Sequence, residues 1–403
     1  MALFQALAHR SFLLLWGGQT ISRLGDSLYQ IALAWWVLEH TGSATAMGTV
    51  FICTAVPTIV FVLLGGVAVD RRPRIHLMLG SDLLRCILLA VITTLAAMQR
   101  LELWQIYVAS LLFGFVNAFF LPAYTALIPE VIPKHLLPSA NALTSVSADV
   151  TGVVGPAFGA YLVHRGGIQL ALAFDTGSFV FAAVCLVPLL HRSVIHALDQ
   201  TRTSVIDDLQ TGFQVITATS WLWMTVSVLA LLNLTGRSPM NVALPFLVHD
   251  AFRADVDLLG ILYTTFSCGS IVGAVGVGRF VRKRRRGVLM YRALILVGLM
   301  TLALGLALPI PVSIIAMFTL GAALAVGNVV WSNILQELVP IQVLGRVASI
   351  MLLGSTSLLP IGFGLTGWAT DRFGPALVFV IGGTLTASVA ILGLCSSAIQ
   401  RLE

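Results

Sequence analysis

A short charged turn, Asp70-Arg71-Arg72-Pro73-Arg74, separates two apolar runs, Ala44 to Val69 and Ile75 to Met98, each long enough to cross a lipid bilayer as one helix. Backbone amides inside hydrocarbon have no water to bond, so such runs satisfy themselves as helices. Lys and Arg gather in cytoplasmic loops, and the three arginines of the turn therefore place it inside and orient the other segments by alternation. Gly65 and Gly66 allow a second helix backbone to come close, and Asp70 can accept from the free N–H groups of a neighbouring helix start. An ordinary positive-inside turn explains the arginines. The order Gly66-x-x-x-Asp70-Arg71, with Arg74 behind it, also suits a gate.

The same pattern runs through the whole chain. It predicts twelve spans, at about 11–37, 44–69, 75–99, 103–128, 137–163, 167–190, 219–248, 256–281, 287–308, 310–335, 342–369 and 373–399. Basic residues collect on one side, the largest block being Arg282 to Arg286, against Arg100, Arg165, Arg253 and Arg372 on the other. That asymmetry predicts both termini in the cytoplasm. A long polar interval, His191 to Ser220, divides the spans six and six: a bundle over 1–192, a cytoplasmic linker over 193–218, and a bundle over 219–403. With 58% hydrophobic and 10% charged residues the chain cannot coat a soluble globule, so an all-α integral membrane protein is expected. The net charge of +6 then reflects loops facing anionic lipid, not nucleic acid. Cys53, Cys86, Cys185, Cys268 and Cys395 lie in apolar runs without CxxC spacing or a nearby His, so no metal site or other cofactor is expected. The first apolar run lacks a small-residue cleavage pattern and reads as a span, not a removed signal.

The halves resemble each other. Leu127-Ile128-Pro129-Glu130 aligns with Ile334-Leu335-Gln336-Glu337 at an offset of 207, which also carries Gly114 to Gly321, Tyr124 to Trp331, Gly155 to Gly362 and Gly167 to Gly374. Earlier in each half an offset of 212 takes Gly48 to Gly260 and Gly66 to Gly278. Two parallel repeats of six spans, related by a pseudo-twofold axis along the membrane normal, suit a transporter that rocks around a central site.

Gly66-Val67-Ala68-Val69-Asp70-Arg71-Arg72-Pro73-Arg74 resembles the loop signature of the major facilitator superfamily, and Gly155-Pro156-Ala157-Phe158-Gly159-Ala160 resembles the motif of its antiporters. Ser22-Arg23-Leu24-Gly25-Asp26-Ser27, followed by Thr41-Gly42-Ser43-Ala44, is similar to the twelve-span branch of macrolide-efflux and enterobactin-exporter proteins. The resemblance covers nearly the whole chain. It implies the superfamily fold, alternating inward- and outward-open states, export driven by the proton gradient, and a monomer. Pro73, Ile75 and Ala160 depart from the signatures, and span four offers Asn117 where many drug antiporters carry arginine. Gly367-Trp368-Ala369-Thr370-Asp371-Arg372 repeats the letters of the loop signature on the opposite side of the membrane and is read as a coincidence.

Ionisable groups inside a membrane are costly and mark functional sites. Gln19, Arg23, Asp26 and Gln30 are spaced 4, 3 and 4, so they share one face of span one. Asp26 stands one turn from Arg23. A carboxylate balanced between burial, which favours its neutral form, and a cation, which favours its charged form, can carry a proton; a static Arg23–Asp26 pair is the alternative. Asp149 in span five is the second proton-carrier candidate, Asp175 reads as a helix-packing acid, and Asp82 with Arg85 should brace the Asp70–Arg74 turn. Asn233, Arg237 and Asn241 give span seven a polar stripe, where Arg237 could hold an anionic group of a substrate or pair with an acid of the other half. Tyr29, Asn117, Tyr124, Asn328, Trp331 and Asn333 lie on spans that line the cavity in the resembled fold. Aromatic faces with a few amides suit a bulky amphipathic molecule.

The expectation is a proton-coupled exporter of an amphipathic small molecule, such as a drug or siderophore, in the inner membrane. An importer, a lipid flippase or a non-transporting receptor of the same fold stays open. An enzyme is not expected, since no His lies mid-span and no HExxH occurs.

Overall fold

Helices follow one another throughout the computed structural model, which describes residues 2–192, 213–280, 285–400 and 402. α1 (Arg10–Thr41) ends at Gly42, whose φ of 59° is the left-handed cap that glycine adopts without strain. α2 (Ala44–Arg71), α3 (Arg74–Ala97) and α4 (Leu103–Val131) follow; α3 begins directly after Pro73, and α4 behind a capping box of Glu102 and Gln105. α5 (Leu137–Leu186) breaks at Gly166 and Gly167, where φ reaches 66°, and so supplies two crossings. α6 (Ser220–Leu232) runs on through a π turn, Asn233–Arg237, and short helical pieces to Ala251. Pro239 cannot donate to the carbonyl four residues back and its ring crowds that carbonyl, which is reason enough for the wide turn just before it. α7 (Val256–Phe280), α8 (Arg286–Gly305), α9 (Ile310–Leu338), α10 (Ile341–Thr356) running into α11 (Leu359–Phe373), and α12 (Pro375–Leu394) complete twelve crossings. The protein is an all-α, twelve-span membrane protein.

The chain divides into two compact units: Met1–Gly42 with Thr49–Asp199, and Ser43–Gly48 with Gln200–Glu403. Most of the expected linker, 193–212, lies outside the described residues. In the first unit α1 packs along α5, and α3 along α4 and α5, around Phe12, Leu15, Ile75, Met78 and Leu127. In the second, α7 packs along α9, and α8 along α12, around Met290, Tyr291, Leu294, Val330 and Ile334. Lipid tails are as apolar as leucine, so close packing and internal hydrogen bonds, more than the hydrophobic effect, hold each unit together.

Both units are built to one scheme, at the offsets the sequence carries. Arg74 Nη1 lies 2.7 Å from Glu130 Oε1, and Arg286 Nη2 lies 2.7 Å from Glu337 Oε2. Thr58 donates to Gly114 O at 2.9 Å and Ser270 to Gly321 O at 3.2 Å. A Cβ on Gly114 would overlap Thr54 O, and one on Gly321 would overlap Phe266 O, so both helix crossings require glycine. Gly167 and Gly374 share the left-handed φ, at 66° and 84°. Gly155 packs on Ser27, and Gly362 on Ser238.

The second motif-like stretch is engaged after all. Asp371 Oδ1 accepts from Ala44 N at 2.6 Å, and Asp371 Oδ2 from Thr45 N at 3.0 Å and the Ser43 hydroxyl at 2.9 Å. Those are orphan donors of the α2 start, which a carboxylate satisfies well. Ser43–Gly48 accordingly groups with the second unit.

Candidate functional site

Gln19 and Arg23 turn inward from α1 and find separate partners. Gln19 Nε2 donates to Asp82 Oδ2 at 3.3 Å, while Arg23 Nη1 donates to Thr144 O at 3.3 Å and its guanidinium lies 5.2 Å from the centre of the Tyr124 ring. No ion pair within 4 Å joins Arg23 to Asp26 among the described residues, so a static pair is not what the structure holds. Asp26 is exposed, and Arg85 and Arg23 both lie within electrostatic range of it.

Asp82 and Arg85, expected to brace the charged turn, instead form the interior of this site. Asp82 is fully buried. Arg85 is almost so; it donates through Nη2 to Asn117 Oδ1 and lies over the rings of Phe120, at 4.3 Å, and Phe179, at 5.6 Å. The turn is secured elsewhere, through Arg74, whose Nη1 also donates to Ala126 O at 2.8 Å. Arg71 is exposed, and the side chain of Asp70 lies outside the described residues. The close helix approach belongs to Gly65, on which a Cβ would overlap Ala118 O; at Gly66 the space is open.

Asp175, read from the sequence as a helix-packing acid, packs against α1 and also joins the charged cluster. It is fully buried, accepts from the Ser178 hydroxyl at 3.1 Å, and acts electrostatically on Asp26 and with Arg85. Gly25 on α1 packs so closely that a Cβ there would overlap both Asp175 Oδ1 and Ser178 Oγ. Spacing along span six carries no sign of this partnership; the glycine next to Asp26 is the one hint. Among the described residues, buried Asp82 Oδ1, Asp175 Oδ2 and Arg85 Nε have no hydrogen-bond partner. The first unit thus gathers Asp26, Asp82 and Asp175 against Arg23 and Arg85: three acids and two bases. Asp149 stands apart, exposed and with no hydrogen bond or ion pair among the described residues. Gly155, Pro156 and Gly159 lie where α5 meets α1, the two glycines against Ser27 and Leu28.

Gln19, Asn117 and Tyr124, expected to line a substrate cavity, are committed to Asp82, Arg85 and Arg23. Tyr29 stacks on Phe113 at 5.6 Å, and Gln30 is exposed. In the second unit the expectation fares differently. Asn233, Arg237, Asn241 and Asn328 line one cavity of about 440 Å³, otherwise mostly apolar. The π turn places Asn233 and Arg237 on it together. Trp331 does not line it; it packs edge-on against Trp221 at 5.9 Å, and Asn333 is exposed elsewhere. Among the described residues no group of His, Cys, Asp and Glu is arranged to hold a metal ion.

A sequence model described as Major Facilitator Superfamily matches residues 15–363 and 226–398. The chain is 24% identical over 397 residues to macrolide efflux protein A of Streptococcus pyogenes, covering 97% of each. It is 27% identical over 352 residues to the enterobactin exporter EntS of Shigella boydii, covering 84% of this chain and 80% of that one. Among solved structures it resembles a D323A mutant of the nucleoside transporter NupG, with a TM-score of 0.76 at 11% identity, covering 96% of this chain and 100% of that one.

Proposed function

The chain belongs to the Major Facilitator Superfamily, and from that premise we propose that it is a proton-coupled exporter of an amphipathic small molecule, a drug or siderophore, working by alternating access. It is a multi-pass membrane transporter and not an enzyme. The relatives named for efflux support the outward direction and their bacterial origin an inner-membrane location, while the one-sided distribution of basic residues supports cytoplasmic termini.

The charge inventory of the first unit carries the proton-coupling reading. With all groups ionised, Asp26, Asp82 and Asp175 outweigh Arg23 and Arg85 by one negative charge, so a single proton makes the cluster neutral. In apolar surroundings an uncompensated charge is strongly disfavoured, and a neutral cluster and a charged one therefore prefer different degrees of hydration. Asp26 is the exposed member and so the point where a proton enters and leaves, while Asp82 and Asp175 share its charge through Arg85.

The test uses inverted membrane vesicles with labelled erythromycin and labelled enterobactin as probes. Wild-type vesicles acidified inside should accumulate one of them, and Asp26→Asn should abolish accumulation while the protein stays folded and still exchanges labelled for unlabelled probe. Wild-type accumulation by that variant would remove Asp26 from coupling; accumulation only in right-side-out vesicles would reverse the direction.

A further inference from the structure

The cavity of the second unit has one charged side chain in its lining, Arg237. Arg237 is exposed to it, and no hydrogen bond or ion pair of its guanidinium is found among the described residues. The lining contains no Asp, Glu, Lys or His, and its other titratable side chain, Tyr263, donates to Met240 O at 2.7 Å. The amides have directions too. Asn233 Nδ2 donates to Ser355 O at 2.8 Å and Asn241 Nδ2 to Arg237 O at 3.0 Å, which leaves both amide oxygens as acceptors. At about 440 Å³ the cavity falls within the size of sites that hold drug-sized molecules.

We propose that this cavity is a binding site for amphipathic organic anions, in which Arg237 takes a carboxylate, sulfonate or phosphate and the oxygens of Asn233 and Asn241 accept from hydroxyl or amide donors of the same molecule. The physical case is the lone guanidinium. Its planar fork matches an oxyanion in two parallel hydrogen bonds, and the apolar wall strengthens that attraction while accommodating a hydrophobic body. A cationic amphipath would place like charge against Arg237 beside a mostly apolar wall, which costs affinity. The assignment rests on the transporter reading and adds the sign of the cargo.

Purified protein in lipid nanodiscs, tested by scintillation proximity with tritiated taurocholate and tritiated tetraphenylphosphonium, reads that sign directly. Wild-type protein should bind taurocholate more tightly than the cation. Arg237→Gln should weaken taurocholate at least tenfold and leave tetraphenylphosphonium within twofold, while Arg237→Lys keeps part of the anion affinity. Asn241→Asp, which sets a carboxylate one turn away with the guanidinium in place, should also lower taurocholate and raise tetraphenylphosphonium. Taurocholate binding by Arg237→Gln within twofold of wild type, no taurocholate signal from folded wild type, or a wild-type preference for the cation would overturn the proposal. These are equilibrium measurements without a gradient, so selective anion binding in a protein that exports nothing in vesicles would sink the exporter reading alone.

Discussion

The two units share a frame and differ in what they keep inside it. Arg74–Glu130 and Arg286–Glu337 close the same corner, and Thr58 and Ser270 reach the same glycine carbonyl. At the offset of 212 that relates Arg74 to Arg286, Asp82 and Arg85 correspond to Leu294 and Val297, both buried and apolar. The packing of Gly155 on Ser27 and of Gly362 on Ser238 aligns the first span of each unit at an offset of 211, which makes Arg237 the repeat counterpart of Asp26. One unit therefore gathers an acid-rich charge cluster, and the other sets a base, without an ion pair among the described residues, beside a cavity of about 440 Å³. A single architecture carries two different charge inventories, and under the proposed function the acid-rich one is what a proton rebalances.

The largest effect should come from copying the second unit into the first. Arg85→Val strands Asp82 and Asp175, and removing one partner of a buried charge set costs about 3–5 kcal/mol, enough to lower the melting temperature sharply or prevent folding. Adding Asp82→Leu should recover part of the loss, as measured by thermal unfolding in detergent; no recovery would mean that the two do not act as a set. Next, Gly114→Ala and Gly321→Ala each force a methyl into a facing carbonyl and should each cost about 1–3 kcal/mol. Unequal costs would break the structural equivalence of the two crossings. Asp371→Ala removes the acceptor at the start of α2 and should cost about 1 kcal/mol, and Asp371→Asn less, by the same assay. The smallest effects belong to Arg74→Ala and Arg286→Ala, whose pairs are partly exposed and worth about 0–1 kcal/mol each.

Much of this was legible in the sequence because the bilayer imposes it. Apolar run lengths give the crossings, and matched Glu130 and Glu337 give the repeat. The partners of those glutamates were not read, since Arg74 and Arg286 lie on other helices and only the second offset relates them. For the same reason four of the six residues expected at a cavity in the second half lie on one, while Asp82 and Arg85 meet other neighbours than the charged turn. Helical spacing says which residues share a face; it does not say which helix that face meets. Asp371 shows the same limit, because its letters repeat a known signature but its work depends on where α2 begins.

Gly25 sits against Asp175 with no side chain between them. Elsewhere in a protein a carboxyl that gains a proton or turns over is absorbed by a neighbouring rotamer, which flexes and spares the main chain. Here the glycine side has no rotamer to give, so a change in the size or orientation of that carboxyl must be met by its own side chain and that of Ser178 or else by the spine of α1 itself.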